Sequence, residues 1–139
     1  MTTEAETRPF NAASFYAFLK EGRFMGVRCR ENGNIYAEAR PMDPVSHSSD
    51  MEWHELSGLA TLSTFTCISV APASLEAKGY GRNNPYCTGI VTLEEGPRIS
   101  ARIAGVDAAN PQNIRTGMAL VLDLSEIDPD DPGLVFRPA

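Results

Sequence analysis

Cysteine, basic charge and long apolar runs are all scarce in this chain, and each shortage removes a class of protein. Three cysteines, Cys29, Cys67 and Cys87, are too few and too scattered for the disulfide framework of a small secreted domain. Cys67 and Cys87 fall inside apolar, strand-like runs, where a buried free thiol is expected. Twelve lysines and arginines against eighteen acids leave a net charge of −6, which opposes binding to a nucleic-acid backbone. It leaves room for a phosphorylated small ligand gripped by two or three local arginines. No run approaches the roughly 18 apolar residues of a membrane helix. The acidic start "MTTEAETRPF" has no apolar signal segment, so a soluble cytoplasmic protein is expected.

Catalytic signatures are missing as well. There is no HExxH, no phosphate-binding glycine loop, no glycine-elbow serine and no paired-carboxylate pattern. A Cys-His pair is the one nucleophile–base arrangement on offer. Both histidines, His47 and His54, stand apart from the strand-borne Cys67 and Cys87, so no catalytic residue is assigned. The cluster Asp128, Asp130 and Asp131 lacks the terminal glutamate of an EF-hand loop and reads as a solvated acidic turn.

What is present fits one domain of 139 residues, or one with a small appendage, and 42% hydrophobic content supports a proper core. Residues 1–9 read as a disordered lead. Over 10–24, Phe15, Phe18 and Leu19 recur at i, i+3, i+4, with Asn11 or Ser14 as N-cap and Gly22 as stop, which predicts a short helix. Its aromatic face must pack on something, either the barrel or a partner. Residues 25–52 carry two short arms around Asn32-Gly33, a signal for a type I′ hairpin. From Trp53 to the end the texture is β: "LATLSTFTCISVA", "YCTGIVTLEEG", "PRISARIAG", "MALVLDL" and "LVFRP", separated by turn-rich loops. In the third, Ile99, Ala101 and Ile103 alternate with Arg98, Ser100 and Arg102. Short strands with turns between them predict a small barrel or sandwich.

The stretches "FYAFLKEGRF…RC", "EWHELSG", "PYCTGIVTLEEGPRISARIAG", "IRTGMALVLDL" and "VFRPA", in this order from about residue 14 to 139, resemble the zinc-ribbon/OB-fold family of acyl-CoA-associated proteins, long catalogued as a domain of unknown function. The resemblance implies an N-terminal helix, a rubredoxin-like ribbon over 25–52 and an OB-fold barrel over 53–139. It also implies a role in lipid metabolism as a small partner subunit of thiolase-like or hydratase-like enzymes. The family's four ribbon ligands fall here on Cys29, Asn32, Asp43 and Ser46, framed by Gly33, Arg40, Glu52 and Trp53. Amide and hydroxyl do not replace thiolate around structural zinc, so the ribbon is read as degenerate and metal-free. The two arms are then expected to be held by strand pairing and by Val27, Ile35, Tyr36 and Trp53. An alternative ligand set, Cys29, Asp43, His47 and His54, matches no known finger spacing.

These readings set the expectations. Lys78, Arg82 and Asn84 in the glycine-rich loop, with Arg98 and Arg102 on one strand face, are the candidate ligand residues for the phosphates of an acyl-CoA. Arg98 and Arg102 have an alternative role, solubilising the barrel beside Glu94 or Glu95. Phe15, Phe18 and Leu19 are the candidate partner residues. No covalent cofactor, no zinc, no nucleic acid and no membrane are expected, and a homo-oligomer stays open. The rival functions are a nucleic-acid-binding OB module and a stand-alone acyl-CoA thioesterase or hydratase.

Overall fold

The computed structural model describes residues 8–126 and 133–139. Asp128, Asp130 and Asp131 lie outside the described residues, as does most of the 1–9 lead. The chain divides into two compact units: Met1–Ser57 with Glu95–Pro97, and Gly58–Glu94 with Arg98–Ala139.

The first unit opens with helix α1, Ala12–Lys20. Asn11 is its N-cap, the side-chain oxygen accepting from the Ser14 amide at 2.9 Å. Its end is a Schellman motif. Gly22 takes φ 80°, its amide donates to Leu19 O at 2.9 Å, and the Arg23 amide reaches back to Phe18 O at 2.9 Å. An antiparallel sheet follows, built from β1 (Met25–Cys29), β2 (Ile35–Tyr36) and β3 (Met51–Glu55) in the order β2-β1-β3. Trp53 is the hinge of this small core. Its ring meets Phe10 at 5.1 Å and Phe18 edge-on at 4.9 Å, and its indole N–H donates to Arg8 O at 3.0 Å. Arg8, which the sequence places in a loose lead, and Phe10 are thereby tied to the fold. Val27, Cys29 and Met51 form the neighbouring cluster, with Tyr36 and Trp53 packed against it.

Two expectations change here. Trp53 and His54, read as the start of the barrel, belong to β3, where they pair with Val27 and Gly26 of β1. The Asn32-Gly33 turn is not type I′: among the described residues Gly33 has positive φ, at 77°, and Asn32 does not. The reason is that Asn32 spends its side chain on local bonds, its oxygen accepting from the Asn34 amide at 2.9 Å.

The second unit is a closed five-stranded barrel of β4 (Leu59–Ile68), β5 (Tyr86–Leu93), β6 (Arg98–Ile103), β7 (Ala119–Leu122) and β8 (Val135–Pro138), in the order β4-β5-β6-β8-β7. Among the described residues of the barrel, β6 and β8 pair in parallel and the other pairings are antiparallel. This is the OB arrangement. Closure removes the free edges that short strands would otherwise expose. Leu62, Val91, Leu93, Ile103, Leu120, Val135 and Phe136 fill the interior. The predicted alternation of β6 holds, with Ala101 and Ile103 buried and Arg98 and Ser100 exposed. β4 bulges between Leu62 and Thr64. There Gly89 lets β5 approach: a Cβ on it would meet Thr64 O at 2.4 Å.

Cys67 and Cys87 are not free thiols. They stand directly opposite each other on β4 and β5 and are joined as a disulfide. Two strand cysteines in one register position lie within bonding reach, and pairing is what the one-residue-at-a-time expectation of buried thiols overlooked.

Candidate functional site

In an OB barrel, the second and third strands and the loops beside them form the usual binding face. Here those strands are β5 and β6. Their outward residues pair Thr88 with Arg102 and Ile90 with Ser100. The loop between β4 and β5 folds over this face through a four-residue helix, α2 (Ala73–Glu76). Ser74, Leu75 and Lys78 of this loop join Tyr86, Thr88, Ser100 and Arg102 around a concavity of about 350 Å³. Tyr80 supports one side. Its ring packs edge-on to Tyr86 at 5.8 Å, and its hydroxyl accepts from Arg102 Nη1 at 2.7 Å. A second, more polar concavity of about 380 Å³ includes Asn84, Tyr86 and Arg102.

The sequence-derived ligand residues therefore separate into two groups. Lys78 and Arg102 line one concavity, and Asn84 and Arg102 line the next. Arg82 is exposed and lines neither. Arg98 shares its face with Arg102, but four residues of extended chain hold the two roughly 13 Å apart, so they do not form one clamp. Tyr80, Tyr86, Thr88 and Ser100 were missed. Period-2 alternation marked the outward positions, but only the folded loop shows which of them share a hollow.

The candidate partner residues are placed differently from expectation. Phe15 is 8% exposed, Phe18 0% and Leu19 2%. Phe15 packs edge-on to Phe24 at 6.2 Å, and Phe18 meets Trp53 as described. This aromatic face is consumed inside the first unit, because a helix of nine residues needs that packing to hold its form. Tyr16, 42% exposed, is the aromatic that α1 leaves outside.

The four ribbon positions do converge. The Asn32 amide donates to Asp43 Oδ2 at 2.8 Å. The Ser46 hydroxyl donates to the same oxygen at 2.8 Å and the Ser46 amide at 2.7 Å. Cys29 Sγ lies 4.0 Å from Ser46 Oγ. Tyr36, absent from the ligand positions, donates its phenol to Asp43 Oδ1 at 2.5 Å. Asp43 is fully buried. Its bonds from Tyr36, Ser46 and Asn32 hold the carboxyl far below the usual range, outweighing the opposing effect of burial.

The residues do not fit a zinc ion. Three of the four groups are amide, carboxylate and hydroxyl, the carboxylate is already saturated by donors, and the thiol is solitary. Among the described residues no three His, Cys, Asp or Glu side chains gather as a metal-holding group, the set Cys29, Asp43, His47 and His54 included. No helix of the described residues is long and apolar enough to cross a membrane.

Comparison with known proteins agrees with this architecture. The family model for the ChsH2 C-terminal OB-fold domain matches residues 53–124. A DUF35 domain-containing scaffold protein of Pyrococcus furiosus is 29% identical over 94% of this chain and 95% of its own length. Another, from Methanocaldococcus jannaschii, is 32% identical over 80% of this chain and 74% of its own. A probable enoyl-CoA hydratase alpha subunit of Thermomonospora curvata is 28% identical over 91% of this chain, which spans 37% of that longer protein. Among solved structures, an Ltp2-ChsH2(DUF35) aldolase chain superposes with TM-score 0.75 at 26% identity, covering 95% of this chain and 97% of that one. A DUF35 protein of unknown function from Sulfolobus solfataricus shares the fold at TM-score 0.64 and 15% identity, over 91% and 84% of the two chains. With its barrel, its family-model match and its archaeal relatives in agreement, this chain belongs to the DUF35 family and carries the OB-fold domain of ChsH2 type.

Proposed function

We propose that this protein is a non-catalytic accessory subunit that binds or positions an acyl-CoA for a partner enzyme of thiolase-like or hydratase-like type. The observation that carries the reading is the concavity on the β5–β6 face, where Lys78 and Arg102 stand beside the hydroxyls of Ser74, Thr88 and Ser100. The Thr88 hydroxyl donates to Ala101 O at 3.1 Å, and the two cations beside the Ser74 and Ser100 hydroxyls suit the phosphates of coenzyme A. Leu75 and Val135 add apolar wall beside them. The same face suits single-stranded nucleic acid poorly. Tyr80 and Tyr86 stand at one end, packed edge-on to each other, and the other outward residues are Thr64, Thr66, Thr88, Ile90 and Ser100, which add no further ring on which bases stack. Relatives described as scaffold proteins, as a hydratase subunit and as an aldolase with a DUF35 partner support an accessory role. Cys67 and Cys87 are bonded to each other, so neither offers a thiolate nucleophile.

The test is calorimetric titration of the purified chain with coenzyme A, acetyl-CoA and a longer acyl-CoA, with and without Lys78→Glu. Saturable binding is expected, weakened at least tenfold by Lys78→Glu and left unchanged by Arg98→Ala, since Arg98 lies outside the concavity. Absence of binding to every acyl-CoA, or binding indifferent to Lys78, overturns the assignment. Tighter binding of an oligonucleotide would transfer it to the nucleic-acid reading.

A further inference from the structure

The two turns that bring Cys29, Asn32, Asp43 and Ser46 together share one backbone design. In the first, the Gly33 amide donates to Cys29 O at 2.8 Å; in the second, the His47 amide donates to Asp43 O at 2.9 Å. Each turn spans four residues and is closed by a fifth with positive φ, 77° at Gly33 and 62° at His47. His47 is the one non-glycine among the described residues in that region. A side chain persists there only where the surrounding structure imposes it. The imposing contacts are visible: the Asp43 amide donates to Ser48 O at 2.9 Å, and the Ser46 amide is tied to the Asp43 carboxylate.

Positions 29/32 and 43/46 keep the x2 spacing at which paired thiolates reach one tetrahedral cation. In this chain the centre holds an anion instead. Asp43 receives Asn32 N–H, Tyr36 O–H, Ser46 N–H and Ser46 O–H. The charge pattern is inverted: a negative centre ringed by hydrogen-bond donors replaces a positive centre ringed by negative ligands. Each donor is satisfied, which a buried polar group requires.

We infer that the Asp43 carboxylate takes the place of a metal ion as the organising centre of the first unit, so that both turns keep a metal-site backbone while the unit folds without metal. The inference does not depend on the acyl-CoA reading, because it concerns residues of the first unit only. It implies that the site is convertible: restoring three thiols at positions 32, 43 and 46 alongside Cys29 recreates a four-thiolate zinc site.

The experiment compares the full chain with the Asn32→Cys/Asp43→Cys/Ser46→Cys variant by cobalt titration followed by zinc competition. The triple variant is expected to take up one cobalt per chain with the absorption bands of a tetrahedral thiolate site, and to lose them to zinc. The native chain is expected to take up none and to melt at the same temperature with and without chelator. One zinc per native chain whose removal lowers the melting temperature overturns the inference. So does a triple variant that folds and binds no cobalt. Where that variant fails to fold even with zinc, Asp43→Asn and Tyr36→Phe decide: both are expected to melt below the native chain, Asp43→Asn further, and native melting in both rejects Asp43 as the centre.

Discussion

The phenol of Tyr36 donates to the buried carboxylate of Asp43 at 2.5 Å, across seven residues of sequence. That bond is the largest single cause of the lowered affinity of Asp43 for protons, and it raises the affinity of Tyr36 for its own. A carboxyl whose folded pKa lies below its unfolded value near 4 stabilises the fold above that pH, and this contribution is lost as the pH falls toward the folded value. Melting curves from pH 7 down to pH 2 are therefore expected to fall more steeply for the native chain than for Asp43→Asn. The difference between the two should shrink below about pH 4. Parallel curves would show that Asp43 does not link folding to pH.

The disulfide makes a separate prediction. Cys67 and Cys87 enclose a 20-residue separation, and cross-linking a loop of that size contributes about 3 kcal/mol in the chain-entropy account. Denaturant unfolding of the native chain is expected to shift by about that amount on adding reductant, while Cys67→Ser/Cys87→Ser should be indifferent to it. Thiol counting under denaturing, non-reducing conditions should find one free cysteine, Cys29. Three free thiols would contradict the cross-link.

Phe18 and Tyr16 separate packing from recognition on α1. Phe18→Ala is expected to cost about 3–5 kcal/mol, the usual price of emptying a buried aromatic site. Tyr16→Ala, at an exposed position, should stay within about 0.5 kcal/mol. Equal stability of the two variants would mean that the Phe18–Trp53 contact contributes little to the first unit.

Gly89 is constrained by the strand beside it. An alanine there would drive its Cβ to 2.4 Å from Thr64 O at the β4 bulge. Gly89→Ala is expected to destabilise the barrel by about 1–3 kcal/mol. Gly96→Ala is the comparison with open space around its Cβ, where only the positive φ of 111° opposes the substitution. A Gly89→Ala barrel of native stability would mean that β4 and β5 part freely at the bulge.

Much of the architecture was legible in the residues themselves. The period-2 alternation of 98–103 gave the faces of β6, because a half-buried strand must alternate. Asn11, Phe15, Phe18, Leu19 and Gly22 gave α1 with its cap and stop, because these signals act within one or two turns of chain. The ribbon positions 29, 32, 43 and 46 came from the family resemblance and not from local pattern, and they meet in space. Tertiary structure decided what local pattern cannot carry. Trp53 joined the first sheet because β1 offered it a partner strand. Cys67 met Cys87 because the β4–β5 register set them opposite one another. Phe18 went inward because Trp53 and Met25 cover it. Asp43 became a buried centre only when four donors from three residues, Asn32, Tyr36 and Ser46, reached it, since burying a charge is tolerable only where partners converge. Sequence fixes preferences over a few residues, and contacts between distant residues are settled by the packing of the whole chain.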